Sequence, residues 1–524
     1  MPEKTGLTNT QLRTGARRAL NLAAAALTTL LAAAPAPAAA HGEQIPQTEQ
    51  SDHDAQNAHD AEPRRWLAGD HHIHSRYSVD WDETRSPPTP ILGGDAIYPT
   101  TTNAAMARLH GLEWMVTTDH GGPGHSRVNR DFAYPELLAS RRAIPEVVQF
   151  YGMELDTPAA DHSTLIIAHS ERERDELFLL ESTFARRDAW PDDPTRDTEA
   201  QMLAALRTMD GLPEKPVVIA NHPSRSATDV GEFGRTTPRE LRAWNDTAPQ
   251  VAVGMAGAPG HQAAPVSRAG AEANEPRQRP RGGYRTSPTL GGFDQMTARV
   301  GGVWDSLLGE GRRWWITANS DSHIHASEGG SDFWPGEYAR TWVHARKQHD
   351  DILDGLRSGR VFVATGALVT GLTIEVSARA SDEVAHENGS GRRVDMLGDT
   401  LRLDGPGTVH VRAALRDPSE ANANGDLPQL ERVDLIVGAV DAADGDGNPS
   451  ARVEARFDAN SEGWRRDGEI VEIEHTFEVA GPVYLRLRGT NTTELEPQPD
   501  APDEDPWTDL WFYSNPVFVT VEGT

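Results

Sequence analysis

The chain reads as an α/β barrel followed by an all-β region, and three observations carry that reading. Short apolar runs alternate with helix-patterned stretches from Trp66 to about Trp342, which implies a parallel sheet. Clusters of His, Asp and Glu fall mostly at or just beyond the ends of those runs. Ligand-type residues gathered at the carboxyl ends of successive strands mark the mouth of such a barrel. After Gly366 the pattern changes to apolar–polar alternation with turn residues between, as half-buried antiparallel strands require.

Taken in order, Lys4, Arg13, Arg17 and Arg18 precede an Ala/Leu-rich stretch from Ala19 to Ala34, then Pro35 to Ala40. A basic region, a moderate apolar region and small residues before His41 predict a signal peptide over residues 1–40. The stretch is too short and too interrupted by threonine to predict a membrane span, and no later segment is apolar enough. An exported protein, periplasmic or secreted, with no stable membrane insertion is expected. Residues 41–64 are polar, hold almost nothing to bury, and read as a disordered linker.

Residues 65–366 form the expected barrel. Trp114–Thr117, Val217–Ala220 and Trp314–Thr317 read as buried strands. Thr198–Met209 reads as a helix with Met202, Leu203, Leu206 and Met209 on one face. Between Ala256 and Gly291 a Pro/Gly/Arg-rich stretch, with Tyr284 and Arg285, predicts a long loop that is either a lid or disordered. Asp350 to Gly359 reads as a short helix ended by its glycine. Residues 367–524 read as a β-sandwich, with strands at Thr373–Val376, Val409–Arg412, Val433–Val437 and Val483–Leu487. Asp441–Asn448 is rich in Asp and Gly but lacks the bidentate Glu of a calcium loop, so a hairpin turn is expected.

The length of 524 residues allows two or three domains. A formal charge of -29 opposes binding to nucleic acid or to an anionic membrane. There is no cysteine, which excludes disulfides and thiolate metal sites, so any metal must be held by His, Asp and Glu.

The ligand clusters are Asp70-His71-His72-Ile73-His74-Ser75, Thr118-Asp119-His120, Gly152-Met153-Glu154, His162, Ala220-Asn221-His222-Pro223 and Asn319-Ser320-Asp321-Ser322-His323. Side chains two apart on a strand point the same way. His72 and His74 thus aim two imidazoles at one point, and Asp321 and His323 a carboxylate and an imidazole. One His-x-His arises by chance in a long chain; all these clusters in one domain point to metal chemistry.

In this order the motifs resemble the PHP (polymerase and histidinol phosphatase) family, over about Trp66 to Trp342. The resemblance implies a distorted seven-stranded (β/α) barrel holding two or three divalent ions, Zn, Mn or Fe. By position it implies His72, His74, Glu154 and Asp321 around one ion, with Glu154 bridging to a second at His162 and His222. It places His120, His323 and Asp80 around a third. Asp119, adjacent to His120, is expected to orient that ligand or capture a proton. Gly355 to Gly366 and Trp511 to Pro516 are similar to an exported branch of the family that includes carbaryl hydrolases.

Two cations about 3.5–4 Å apart lower the pKa of a shared water and stabilise attacking and leaving oxygens. A metal-activated hydroxide that cleaves a small-molecule ester is therefore expected. Arg225, three residues after His222, could clamp a phosphoryl oxygen or be a solvated loop arginine. His125 as proton donor, and Arg76 and Tyr77 as pocket walls, stand on the same footing. A phosphoester, with Arg225, Arg76 and Arg127 as cationic candidates, is the first substrate class. A carbamate or carboxylic ester, with Trp81, Trp304, Trp334 and Tyr77 as aromatic walls, is the alternative. The amidohydrolase superfamily also opens with His-x-His, but many members bridge their metals with a carboxylated strand lysine, and Lys215 and Lys347 are not placed for that. A non-catalytic periplasmic metal-binding protein is the reading from another class; it calls for closed ligand shells rather than a shared cluster.

Overall fold

Runs of consecutive buried residues become the central strands of one sheet. The computed structural model describes residues 62–260, 284, 286–378, 393–501 and 504–523. The predicted signal peptide, nearly all of the predicted linker, most of the 256–291 loop and Arg285 lie outside the described residues. In chain order the strands are β1 (Arg65–Ile73), a short hairpin of β2 (Asp80–Asp82) and β3 (Thr89–Ile91), then β4 (Trp114–Thr117), β5 (Val148–Asp156), β6 (His162–Ile166), β7 (Val217–Ala220), β8 (Ala252–Pro259), β9 (Trp315–Asn319), β10 (Ala339–Ala345) and β11 (Val361–Thr365). Apart from the hairpin, β4 to β9 lie beside β1 in sequence order. A parallel bridge between Ile73 and Ser322 brings the end of β9 against the end of β1.

The pairs β1/β4, β4/β5, β7/β8 and β8/β9 are parallel, and helices fill the long crossovers. Before β7 runs the helix Glu199–Asp210. Thr198 caps it by accepting from the Gln201 amide at 3.3 Å, and Met202, Ala205, Leu206 and Met209 are its buried face. The expectation of a purely parallel sheet is corrected at β6, which runs antiparallel to both β5 and β7. Only residues 157–161 join β5 to β6, and a parallel return needs a crossover of about a dozen residues or more. The reversal has a consequence for the site: His162 is the first residue of its strand, yet it lies at the same rim as the carboxyl ends of the others.

Beyond Gly366 the alternating pattern gives strands, as expected. β12 (Gly371–Ala378), β13 (Arg393–Val394), β15 (Gly407–Arg416), β18 (Trp464–Asp467) and β19 (Ile470–Val479) form an antiparallel sheet. Leu372, Ile374 and Val376 of β12 and Val409, Val411 and Leu415 of β15 face its buried side. β14 (Thr400–Leu403), β16 (Arg432–Ala439), β17 (Arg452–Phe457), β20 (Val483–Thr490), β21 (Trp511–Ser514) and β22 (Val517–Val521) continue the first sheet, because β11 pairs with β21. Asp444 and Gly447 bridge across the turn between β16 and β17, where the hairpin was expected. Pro63–Thr524 form one compact unit, so the boundary read at 366 marks a change of strand pattern and not a gap in packing. A fully buried ion pair crosses it: Arg486 of β20 donates to both oxygens of Asp305 at 2.9 and 2.8 Å. Among the described residues no helix is long and apolar enough to cross a membrane.

Candidate metal centre

The rim is held in register by a buried carboxylate. Asp70 accepts from the His72 amide at 3.0 Å and from the Ser320 amide at 3.1 Å, tying the end of β1 to the end of β9. His72 and His74 then converge as strand parity predicts, with their Nε2 atoms 2.9 Å apart. Asp321 Oδ1 lies 3.3 Å from the first and 3.1 Å from the second. Atoms that share one ion at about 2.0–2.2 Å lie about 3.0–3.5 Å from each other, so this spacing suits a common cation.

Glu154, near the end of β5, sits between this group and the next. Its Oε1 is 3.0 Å from His222 Nε2, 3.2 Å from His162 Nδ1 and 3.2 Å from His72 Nε2. Its Oε2 turns toward His74, at 3.5 Å. Asn221 donates to Oε1 at 3.0 Å and is itself held by Thr164 at 2.9 Å. On the far side of His162, Nε2 is 3.4 Å from Asp156. A third group lies further out: Asp95 Oδ2 is 3.2 Å from His120 Nε2 and 3.4 Å from His323 Nε2. Clusters of His, Asp and Glu that could hold metal ions are therefore present: three at the rim, two of which share His74, and a fourth formed by Asp500, Glu504 and Asp509.

The charges within the cluster oppose burial. Burial raises the pKa of Glu154, but His162 and His72 outweigh it and hold the carboxyl well below its ordinary range. Burial disfavours a charged His162, yet Glu154 and Asp156 lift it to about 9. His323 is lifted likewise, to about 10, by Asp95 and Asp321. His222 falls to about 4 through burial and the Arg225 guanidinium, and His74 falls well below its usual value through burial and His323. Protons on His162 and His323 thus occupy places that favour positive charge. Metal binding releases such protons, and His72 Nδ1 and His222 Nδ1 remain buried without partners. The donor set fits divalent cations. Two ligands also carry left-handed backbone, His222 at φ 28° and Asp321 at φ 49°, a conformation rare for residues other than glycine and concentrated at functional sites.

Second-layer contacts revise several expectations. Asp119 does not bond the His120 imidazole. It accepts from the Ser75 amide at 2.6 Å and from Ser78 Oγ at 3.1 Å, and Ser78 Oγ lies 2.7 Å from His74 Nδ1. Asp119 therefore orients His74 through a serine. Asp80 is exposed on the β2–β3 hairpin and belongs to none of the three groups. That hairpin turns the chain back and delivers Asp95 instead, with Gly94 packed tightly on Asp80. His125 is buried away from the ligands, donating from Nδ1 to Glu181 at 2.6 Å and from Nε2 to the Tyr77 carbonyl at 2.9 Å, so it has no free proton to offer. Arg76 and Tyr77 both engage Glu136 and Arg127 is exposed. Trp304 is fully buried, and Trp334 stacks on His325.

The cluster opens into a cavity of about 550 Å³, whose lining includes Arg187, Arg225 and residues 329–332. Both arginines are pre-oriented by acids: Arg225 donates to Asp161 at 2.7 Å and Arg187 to Asp156 at 2.8 Å. Sequence reasoning missed Asp95, Asp156, Arg187 and Asn221. Asp156 was within reach of parity, since it lies two residues after Glu154 on one strand, and Asn221 adjoins His222. Asp95 and Arg187 carry no local signal.

No protein-family model matches the chain, and no curated protein matches it. Among solved structures it is similar to PsfC from Pseudomonas syringae PB-5123, at 13% identity and a TM-score of 0.28, over 56% of this chain and 88% of that one. A likeness that weak carries no functional argument.

Proposed function

We propose that the chain is an exported, PHP-type metal-dependent phosphoesterase acting on a small-molecule ester. Seven strands from β1 to β9, with the first and last bridged at Ile73–Ser322, support a distorted seven-stranded barrel. Residues 1–40 support export, and the acidic charge of -29 speaks against nucleic acid as substrate. The observation that carries the choice of ester is the cavity wall. Arg187 and Arg225 face it, while the tryptophans an aromatic carbamate would need are absent from the residues that line it.

Two or three divalent cations held by the ligand groups would polarise a phosphoryl oxygen and favour a nucleophilic water at neutral pH. The protein's own contribution is positioning. Asn221 fixes Glu154, which spans the two inner groups. Asp156 orients His162, and such outer-layer partners are typically worth about 10–100-fold in affinity or activity. Asp161 and Asp156 hold two guanidinium forks ready for an anionic group.

The test is the initial rate of the purified protein on para-nitrophenyl phosphate, bis-para-nitrophenyl phosphate and 1-naphthyl methylcarbamate, with Mn or Zn and with chelator. Chelator-sensitive release of nitrophenol is expected. Turnover of the carbamate alone would transfer the protein to the carbaryl-hydrolysing branch.

A further inference from the structure

From Glu154 a line of polar contacts leads away from the ligands into the interior. Thr164 lies directly across from Glu154 in the register of β5 and β6. His71 reaches Thr164 from β1, a strand that is not a neighbour of β6 in the sheet. Asn221 Nδ2 is 3.0 Å from Glu154 Oε1, and Asn221 Oδ1 is 2.9 Å from Thr164 Oγ1. Thr164 Oγ1 is in turn 3.3 Å from His71 Nδ1, and His71 Nε2 is 3.5 Å from Asn319 Nδ2. Asn221, Thr164, His71 and Asn319 are wholly buried, so no solvent competes for their donors and acceptors.

The direction of each bond follows from the one before it. A carboxylate only accepts, so Asn221 turns its amide nitrogen to Glu154 and its oxygen to Thr164. An amide oxygen also only accepts, so the single Thr164 hydroxyl proton points at Asn221. The His71 carbonyl, the other acceptor in reach of that proton, is further away at 3.4 Å. Thr164 can then only accept from His71. That puts the imidazole proton on Nδ1 and leaves Nε2 to accept from Asn319. Packing alone would be served by an apolar side chain of similar volume, whereas a ring with both nitrogens partnered sets the sense of the whole row.

Resting on the metallohydrolase reading above, we infer that His71, Thr164 and Asn319 are positioning residues that lock Asn221 with its N–H donors toward Glu154. Reversing that amide would set its oxygen against the carboxylate. Turning it aside would leave a buried oxygen without a donor, which is costly. Glu154 is therefore held in place from behind, with Oε1 the oxygen that Asn221, His162 and His222 approach. Bonds in such a row also strengthen one another, so breaking a remote link is felt at the carboxylate.

The experiment reads the Thr164 hydroxyl and the His71 proton. Zn affinity of the full chain is measured by competition with a chromophoric chelator, and kcat and KM with para-nitrophenyl phosphate. Thr164→Val keeps the shape and removes the hydroxyl. It should bind Zn about 10-fold more weakly and lose about 10-fold in kcat, the scale of an outer-layer partner, with KM within about two-fold. Thr164→Ser should restore wild-type values, and His71→Leu should fall between the two. Nitrogen-15 NMR of the Zn-loaded wild type should show the His71 proton on Nδ1, its signal identified by its absence from His71→Leu. That measurement decides the matter if Thr164→Val fails to fold. A proton on Nε2, wild-type Zn affinity in Thr164→Val, or an equal loss in Thr164→Ser would overturn the inference alone. A wild type that takes up no Zn would overturn the metallohydrolase reading, and this inference with it.

Discussion

The inner and outer halves of the ligand cluster are built on different supports. All six inner ligands (His72, His74, Glu154, His162, His222 and Asp321) sit on a strand or within two residues of a strand end. They are buried, and their partners Asp70, Asn221 and Asp156 are buried too. Among the outer ligands, Asp95 arrives on the loop that follows an exposed hairpin, while His120 and His323 lie three and four residues past β4 and β9. The contrast teaches that the sheet specifies where a ligand atom points, whereas loops specify it only through tertiary contacts.

The largest effect should come from the residue that joins the inner groups. Glu154→Gln should lower chelator-sensitive activity by more than about 100-fold, beyond what loss of an outer-layer partner costs, and should reduce retained metal. Full activity with full metal content would break the inner half of the comparison.

Second is His125, expected from sequence to be catalytic and found in a buried pair with Glu181. Removing one partner of such a pair costs about 3–5 kcal/mol, so His125→Gln should melt well below wild type while its folded fraction keeps its metal. The pH dependence follows in sign. Burial alone would depress His125, but Glu181 raises its folded value to about 9, against an ordinary value of about 6.5. Its stabilisation is fully present below about pH 6.5 and is lost as pH rises toward 9. Wild-type melting temperature should therefore fall across that window with a slope that His125→Gln lacks; equal slopes would contradict the assignment.

Third, Arg187→Met should raise KM for the phosphomonoester by about 10-fold, the scale of one charge-assisted hydrogen bond, with a smaller change in kcat. An unchanged KM would remove Arg187 from the substrate wall. The smallest effect belongs to Arg127, which is exposed and outside the cavity. Arg127→Ala should shift stability by no more than about 0.5 kcal/mol and leave kcat/KM within about two-fold of wild type. A larger loss would mean that the cavity extends further than its lining residues indicate.

How much was legible in the sequence follows the same division. The strands at Trp114–Thr117 and Val217–Ala220 are found with those bounds, because four consecutive apolar or small residues between turn signals have little alternative to a buried strand. The inner ligands were legible for the same reason, since strand parity and strand ends are local properties. The reversal of β6 was written in the short spacing between Glu154 and His162, but only a pairing argument extracts it. Asp80 was chosen, and Asp95 missed, because nearness in sequence to His72 and His74 stood in for nearness in space. A hairpin that folds back onto the rim defeats that substitution, since nothing local in residues 83–94 announces where residue 95 will land. Likewise His125 has the composition of a proton donor, and only its contacts with Glu181 and the Tyr77 carbonyl reveal a structural role.

The central claim is that Glu154 stands between two cation-binding groups at the sheet rim. Anomalous X-ray scattering from crystals grown with Mn or Zn, recorded at the absorption edge of the metal, tests it most directly. The account predicts two strong peaks, each about 2.0–2.2 Å from a Glu154 oxygen, one also near His72, His74 and Asp321 and the other near His162 and His222. A single peak remote from Glu154, or no peak at the rim of a fully folded crystal, would contradict it.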